Sequence, residues 1–205
     1  MRKEGKPTMT QIALIRHGST AWNKEKRSQG QTDNPLDQEG REQAALLAAR
    51  LAEEHWDAIY ASDLQRASET ARIIGERLGI QEIHLDPRLR EMGGGQVEGT
   101  TEEERIAKWG SDWSSLDLGK EAPASGAARG TEMLEEILRQ HPNARVLVVS
   151  HGAVLRNTLR ALVPEQDISV KLSNTSITRM VHRDQTWHCE LYNCNAHLER
   201  GKGTM

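Results

Sequence analysis

The chain of 205 residues has no phenylalanine, only two cysteines and six prolines. With aromatics at 3 % of residues, aliphatic side chains must fill the core. Cys189 and Cys194 stand alone. They form neither a disulfide framework nor a zinc spacing, and read as ordinary residues on a strand. No stretch approaches the roughly 18 consecutive apolar residues that span a bilayer, and no charged leader precedes an apolar segment. A soluble, cytoplasmic protein with no membrane partner is therefore expected. The formal net charge of −3 lacks the basic excess of a general nucleic-acid binder, although a local positive pocket can hide inside it. The length suits one domain with a sizeable core. Residues 10–198 are expected to form it, behind a polar tail, 1–9, that reads as disordered. Repeats and low-complexity segments are absent, and the polar composition is compatible with a monomer or a homodimer.

What is present is more specific. Two short, unbroken apolar runs, Ile12-Ala13-Leu14-Ile15 and Val146-Leu147-Val148-Val149, read as buried parallel strands. Each runs into a histidine motif, Arg16-His17-Gly18 and Ser150-His151-Gly152. Between them, Gly40 to Glu54 places Ala44, Leu47 and Leu51 on one helical face, and Ala58 to Ala61 is a second strand. Ser62-Asp63-Leu64-Gln65 reads as a capping box for a helix ending at Gly79, and Ile83 to Leu85 as a third strand. Thr101-Glu102-Glu103-Glu104 caps a short helix, after which the chain looks irregular to about Gly130. A helix over 131–140 leads into the Val146 strand, and another starts after His151. Ser176 to His182 and Thr186 to Tyr192 flank Arg183-Asp184-Gln185 as a hairpin. Strands and helices alternate, so the class is α/β with a mostly parallel sheet and an antiparallel edge strand.

In such sheets the ligand site lies beyond the carboxyl ends of the strands. The first strand delivers Arg16, His17 and then Asn23. The second delivers Arg66, the third is followed by Glu91, and the Val146 strand delivers His151. Two histidines, two arginines and a carboxyl group suit a phosphate monoester. A neutral imidazole can attack phosphorus without the repulsion an anion meets, forming a phosphohistidine. His17 fits that role, since Gly18 lets the backbone approach the phosphate. Arginines donate paired hydrogen bonds to phosphoryl oxygens and keep their charge. His151, at a helix start, adds a donor or positive charge. A carboxylic acid with a pKa raised by burial can protonate the leaving alcohol and then activate water. Glu91 is the choice for that task, with Glu98 and Glu102 as alternatives. Trp109 and Trp113 either line the pocket or pack a short helix onto the sheet. The other histidines, His197 included, read as surface or strand residues.

These motifs resemble the histidine phosphatase superfamily, in its cofactor-dependent phosphoglycerate mutase-like branch (branch 1). The matching stretches are Leu14-Ile-Arg-His-Gly-Ser-Thr-Ala-Trp-Asn23, Asp33-Asn-Pro-Leu36 with Gly40, Ser62-Asp-Leu-Gln-Arg-Ala-Ser-Glu-Thr-Ala71, Leu89-Arg-Glu91 with Gly95 and Glu98-Gly99, Val149-Ser-His-Gly152, and Asn174 to Thr178. They cover most of the chain in family order. The resemblance implies a three-layer α/β/α sandwich and a phosphorylated His17. It groups Arg16, Arg66 and His151 in the phosphate pocket, with Glu91 as proton donor. Substrate contacts are implied from Asn23, Gln29, Gly30 and the backbone after His151, beginning at Gly152. No metal and no organic cofactor are expected. The chain departs from the family at Gly94 and Val97, where relatives carry aromatic residues. It also lacks a Pro-Gly-Gly-Glu-Ser-like element over Ala122 to Gly130. The Gly93-Gly94-Gly95 run is expected to loosen the loop after Glu91. The function that follows is hydrolysis of a small-molecule phosphate ester. The alternatives are a phosphoglycerate mutase and a phosphate-binding module without turnover.

Overall fold

Short aliphatic strands separated by amphipathic helices can be buried only if helices cover both faces of the sheet. The computed structural model describes residues 9–200, and within them that is the arrangement found. Six strands lie in the order β3-β2-β4-β1-β5-β6. They are β1 (Thr10–Arg16), β2 (Ala58–Ala61), β3 (Ile83–Leu85), β4 (Arg145–Ser150), β5 (Ile177–Arg183) and β6 (Thr186–Cys194). β1, β2, β3 and β4 pair in parallel, while β5 runs antiparallel to both β1 and β6. The hairpin thus adds one antiparallel strand inside the sheet and makes β6 its edge. Its two turn residues, Asp184 and Gln185, have φ of 51° and 60°, as a two-residue hairpin loop demands.

Alternate residues of the inner strands feed two cores. On one face, Ala13, Ile15, Ile59, Leu147 and Val149 meet Leu47, Leu51, Ala67, Ala71 and Ile74 of α2 (Gln38–Leu51) and α3 (Gln65–Leu78). On the other, Ile12, Leu14, Val146, Val148 and Met180 meet Met133, Leu134, Ile137, Leu155 and Leu159 of α5 (Pro123–Gln140) and α6 (Gly152–Leu162). Both cores are aliphatic at their centres, as the absence of phenylalanine requires. The smaller helices are α1 (Ala21–Lys24), α4 (Glu102–Trp109) and α7 (Ala196–Arg200). Among the described residues no helix is long and apolar enough to cross a membrane.

Several expectations need correcting. α5 begins at Pro123, not 131, so the end of the stretch read as irregular to Gly130 is already helical. The Ser62 capping box does not form: α3 is capped by Leu64 without a side-chain bond, and Ser62 is put to another use. The Gly93-Gly94-Gly95 loop is not loose. The Gly93 amide donates to Glu121 Oε2 at 2.9 Å, Gly94 to Glu98 Oε1 at 2.8 Å, and Gln96 to the Leu118 carbonyl at 2.8 Å. His197 is buried against Thr175 Oγ1 and Arg50, and burial, then the Arg50 charge, lowers its pKa to about 4. The tail read as disordered lies outside the described residues except for Met9, whose amide donates to Asn143 Oδ1 at 3.0 Å.

Candidate active site

Register builds the floor of the site. Arg16, the last residue of β1, is paired with Ser150, the last of β4. Parallel neighbours advance together, so His17 and His151 emerge side by side, with ring centroids 5.1 Å apart. The His17 amide confirms the alignment by donating to the Ser150 carbonyl at 3.0 Å. Gly18 then passes so close to the start of α2 that a Cβ there would stand 2.5 Å from the Gly40 carbonyl oxygen. Any side chain at 18 would push the helix away and open the loop that presents His17.

His17 is buried, and its Nδ1 stands 2.7 Å from the carbonyl oxygen of Gly18. A carbonyl only accepts, so Nδ1 carries the proton and Nε2 keeps the lone pair. Burial first, then the charges of Arg16 and Arg66, push the imidazole well below the usual histidine range. It is therefore neutral at pH 7, with the Nε2 lone pair unprotonated.

The two arginines are fixed without any carboxylate. Arg66, fully buried, donates through Nη1 to Thr32 O and Nη2 to Gly30 O, both at 2.8 Å, and through Nε to His151 Nδ1 at 3.2 Å. Burial lowers its pKa to about 10, which leaves it charged at neutral pH. Arg16 donates to the Leu172 carbonyl at 2.6 Å, and its Nε is buried with no partner among the described residues. Two cations held by neutral carbonyls retain their attraction for an anion.

His151 differs from its expected role. Its Nδ1 accepts from Arg66, so its proton sits on Nε2, which lies 2.8 Å from Ser62 Oγ. Burial, then Arg66, hold it well below the usual range. In this arrangement both ring nitrogens are occupied and the ring is neutral. It orients Arg66, and can donate to a phosphate only by exchanging a partner.

Glu91 accepts at Oε1 from the amides of Met92 (2.8 Å) and Val154 (2.9 Å), and at Oε2 from Ala153 (3.1 Å). It thereby joins the loop after β3 to the start of α6. Three of its four lone-pair sites are thus taken, and the free one, on Oε2, can hold a proton. Of the alternatives, Glu98 is committed to four donors from Gln31, Thr32 and Gly94. Burial raises its pKa, but these bonds outweigh that and bring it down. Glu102 lies on the surface with Arg105 and Trp113.

Arg16, His17, Asn23, Gln29, Gly30, Arg66 and Glu91 line one cavity of about 440 Å³, large enough for a small molecule. Asn23 Oδ1 is taken by Thr20 and Asn174, which leaves its amide nitrogen to offer. His151 and Gly152 stand behind the lining, Gly152 against the Arg16 side chain. Neither Trp109 nor Trp113 lines the cavity. Among the described residues no three His, Cys, Asp or Glu side chains are grouped to hold a metal ion.

Four contributors escape a reading of the sequence. Ser62 positions His151. Asn174 Nδ2 donates to the His17 carbonyl and to Asn23. Glu121 pairs with Arg129, whose guanidinium also donates to the carbonyls of Arg88, Arg90 and Glu91 and so fixes the Glu91 segment. Of these, Ser62 carries a signal, since it follows its strand as His17 and His151 follow theirs. Gly119-Lys120-Glu121, just ahead of α5, keeps the Gly-x-Glu of the element sought over 122–130.

Comparison with known proteins identifies the family. Residues 12–195 match the model of the histidine phosphatase superfamily (branch 1). A metal-independent phosphoserine phosphatase of Arabidopsis thaliana is 35 % identical over 93 % of this chain and 84 % of its own length. A probable phosphoglycerate mutase, GpmB, of Yersinia enterocolitica is 35 % identical, over 87 % of this chain and 88 % of its own. Among solved structures, a mycobacterial glucosyl-3-phosphoglycerate phosphatase superimposes with a TM-score of 0.80 at 28 % identity, covering 90 % of this chain and 99 % of that one. The chain belongs to the histidine phosphatase superfamily, branch 1.

Proposed function

We propose that this phosphatase hydrolyses small-molecule phosphate monoesters through a covalent phosphohistidine at His17. The observation that carries the reading is the state of that ring: neutral, with its proton pinned to Gly18 and Nε2 unprotonated, between two arginines that no carboxylate neutralises. The Nε2 lone pair attacks phosphorus as the bond to the ester oxygen breaks, and Arg16 and Arg66 take up the charge on the phosphoryl oxygens. The departing alkoxide receives a proton from Glu91, carried on the Oε2 site that no amide occupies. Glu91 then takes a proton from water, whose oxygen attacks the phosphohistidine. The P–N bond breaks, and inorganic phosphate leaves with His17 neutral again. Relatives named as phosphatases, in sequence and in structure, support hydrolysis over transfer within the substrate. Residues 10–198 act as one domain in this reading. The unpaired cysteines support a cytoplasmic location.

The test is phosphate release from a panel of phosphomonoesters, in excess EDTA, by the wild type and by His17→Ala. Release by the wild type alone, undiminished by EDTA, is expected, and the variant should lose about 10⁴-fold or more. Interconversion of phosphoglycerates without net release would support the mutase instead. Turnover by His17→Ala would end the nucleophile assignment.

A further inference from the structure

The turn that enters β5 clasps the chain just beyond β1, and one of its side chains reaches on to α1. Thr175 is buried and holds a φ of 55°, rare for a β-branched residue. Its amide donates to the Arg16 carbonyl at 2.9 Å and the His17 carbonyl at 3.3 Å, and its Oγ1 to the Asn174 carbonyl at 2.8 Å. This backbone clasp sets the Asn174 side chain between His17 and Asn23. Asn174 Nδ2 donates to the His17 carbonyl at 2.9 Å and to Asn23 Oδ1 at 3.2 Å. The helix that carries Asn23, α1, is a single turn with no buried residue, too short to fix a side chain by itself. Among the described residues, the Asn174 bond is the one that joins the Asn23 side chain to the fold beyond its own turn.

Donors and acceptors in this chain of bonds are not interchangeable. A carbonyl only accepts, so the end of Asn174 that meets His17 is its NH2 group. The Thr20 amide only donates, so the atom of Asn23 that it meets at 3.2 Å is the oxygen. Asn23 is left with its own NH2 to offer to the cavity it lines. We infer that Asn174 is a positioning residue: anchored by the His17 carbonyl, it fixes which end of the Asn23 amide faces the cavity, so that a phosphoryl oxygen meets a donor and not a second oxygen. The inference rests on the phosphatase reading, in which that cavity takes the phosphate. Asn174 itself is absent from the lining and acts only through its neighbours.

The experiment compares Asn174→Asp with Asn174→Ala. Asp keeps the shape but removes both donated hydrogens, and its carboxylate faces two acceptors, the His17 carbonyl and Asn23 Oδ1. The clash is relieved when the Asn23 amide turns over, which presents its oxygen to the phosphate. Ala removes the bonds but leaves Thr20 to hold that oxygen in place. The expected losses in kcat/KM are about tenfold for Ala and about 100-fold for Asp, the scale of one hydrogen bond to a charged group lost and then reversed. A packing role alone predicts that Asp, the better fit, is the milder change; that order, or equal losses, would overturn the proposal. The excess loss of Asp over Ala should vanish in an Asn23→Ala background. If it persists there, the new charge acts on the phosphate directly and the proposal is overturned. Should Asn174→Asp not fold, the cycle of Asn174→Ala with Asn23→Ala decides: a loss that shrinks to about twofold in Asn23→Ala supports the proposal, and additive losses overturn it. Calorimetric binding of inorganic phosphate to the same variants repeats the comparison without turnover. If the wild type hydrolyses no ester, the phosphatase reading fails, and Asn174 is still judged by the order of these Kd values.

Discussion

The floor and the wall of this cavity are built on different principles. The floor consists of residues at element ends: His17 after β1, His151 after β4, Ser62 after β2 and Arg66 in the first turn of α3. All four are buried, and the pairing of β2, β4 and β1 sets their spacing before any side chain chooses a rotamer. The wall, from Glu91 to Pro123, has one two-turn helix and two single 3-10 turns, and Lys120 is exposed on it. It is held by polar contacts, most of them between segments far apart in sequence: Glu98 to Gln31 and Thr32, Arg129 to the backbone of 88–91, and, closer by, Arg129 to Glu121. Rigid register suits the groups proposed to handle phosphorus, which every phosphate ester shares. A wall fastened by side chains can change its lining residues while the sheet stays as it is, and suits the region of the substrate that varies.

That contrast can be broken at the floor with the largest effect. Arg66→Lys keeps the charge but cannot reach His151, Thr32 and Gly30 together. A fall in kcat/KM of about 10²–10³-fold is expected in steady-state kinetics. Activity within a fewfold of wild type would mean that floor geometry matters less than its charge. Glu91, where floor and wall meet, comes next. Glu91→Gln should slow alkyl esters about 10²-fold and aryl esters, whose leaving groups need no proton, far less. Equal losses would remove it as proton donor.

The smallest effect concerns stability. His17, His151 and His197 are all held below the ordinary histidine pKa of about 6.5, so the unfolded chain takes up these protons before the folded one. Their contribution is fully present above about pH 6.5 and declines as pH falls, by up to about 1.4 kcal/mol per unit for each ring. Urea unfolding at pH 7.5 and 5.5 should show the loss, and His197→Gln should remove one ring's share of the slope. A flat profile would contradict buried neutral histidines at the floor.

The same division explains what the sequence can convey. Short aliphatic runs, the Thr101 cap and Gly79 at a helix end are local signals. They locate every strand and most helices to within a few residues. Since the floor hangs on strand ends, Arg16, His17, Arg66 and His151 are legible too. The start of α5 is not, because Gly126 and Gly130 in its first turns lower helical propensity. They are there for packing: a Cβ at 126 would meet Met92 Sδ and one at 130 would meet Thr158 Oγ1. The pinned glycine loop is hidden for a related reason, since the carboxylates that hold it are Glu98 and, 28 residues beyond Gly93, Glu121. Ser62 fits a capping box by spacing, which masks the signal of its place at a strand end, where its hydroxyl serves His151.

The most direct test is to trap the enzyme during turnover of a phosphomonoester and locate the phosphoryl group by peptide mass spectrometry. The account predicts one phosphoryl group on His17, stable in base, lost in acid and missing from His17→Ala. Turnover with no such adduct, or a phosphoryl group on any other residue, would contradict it.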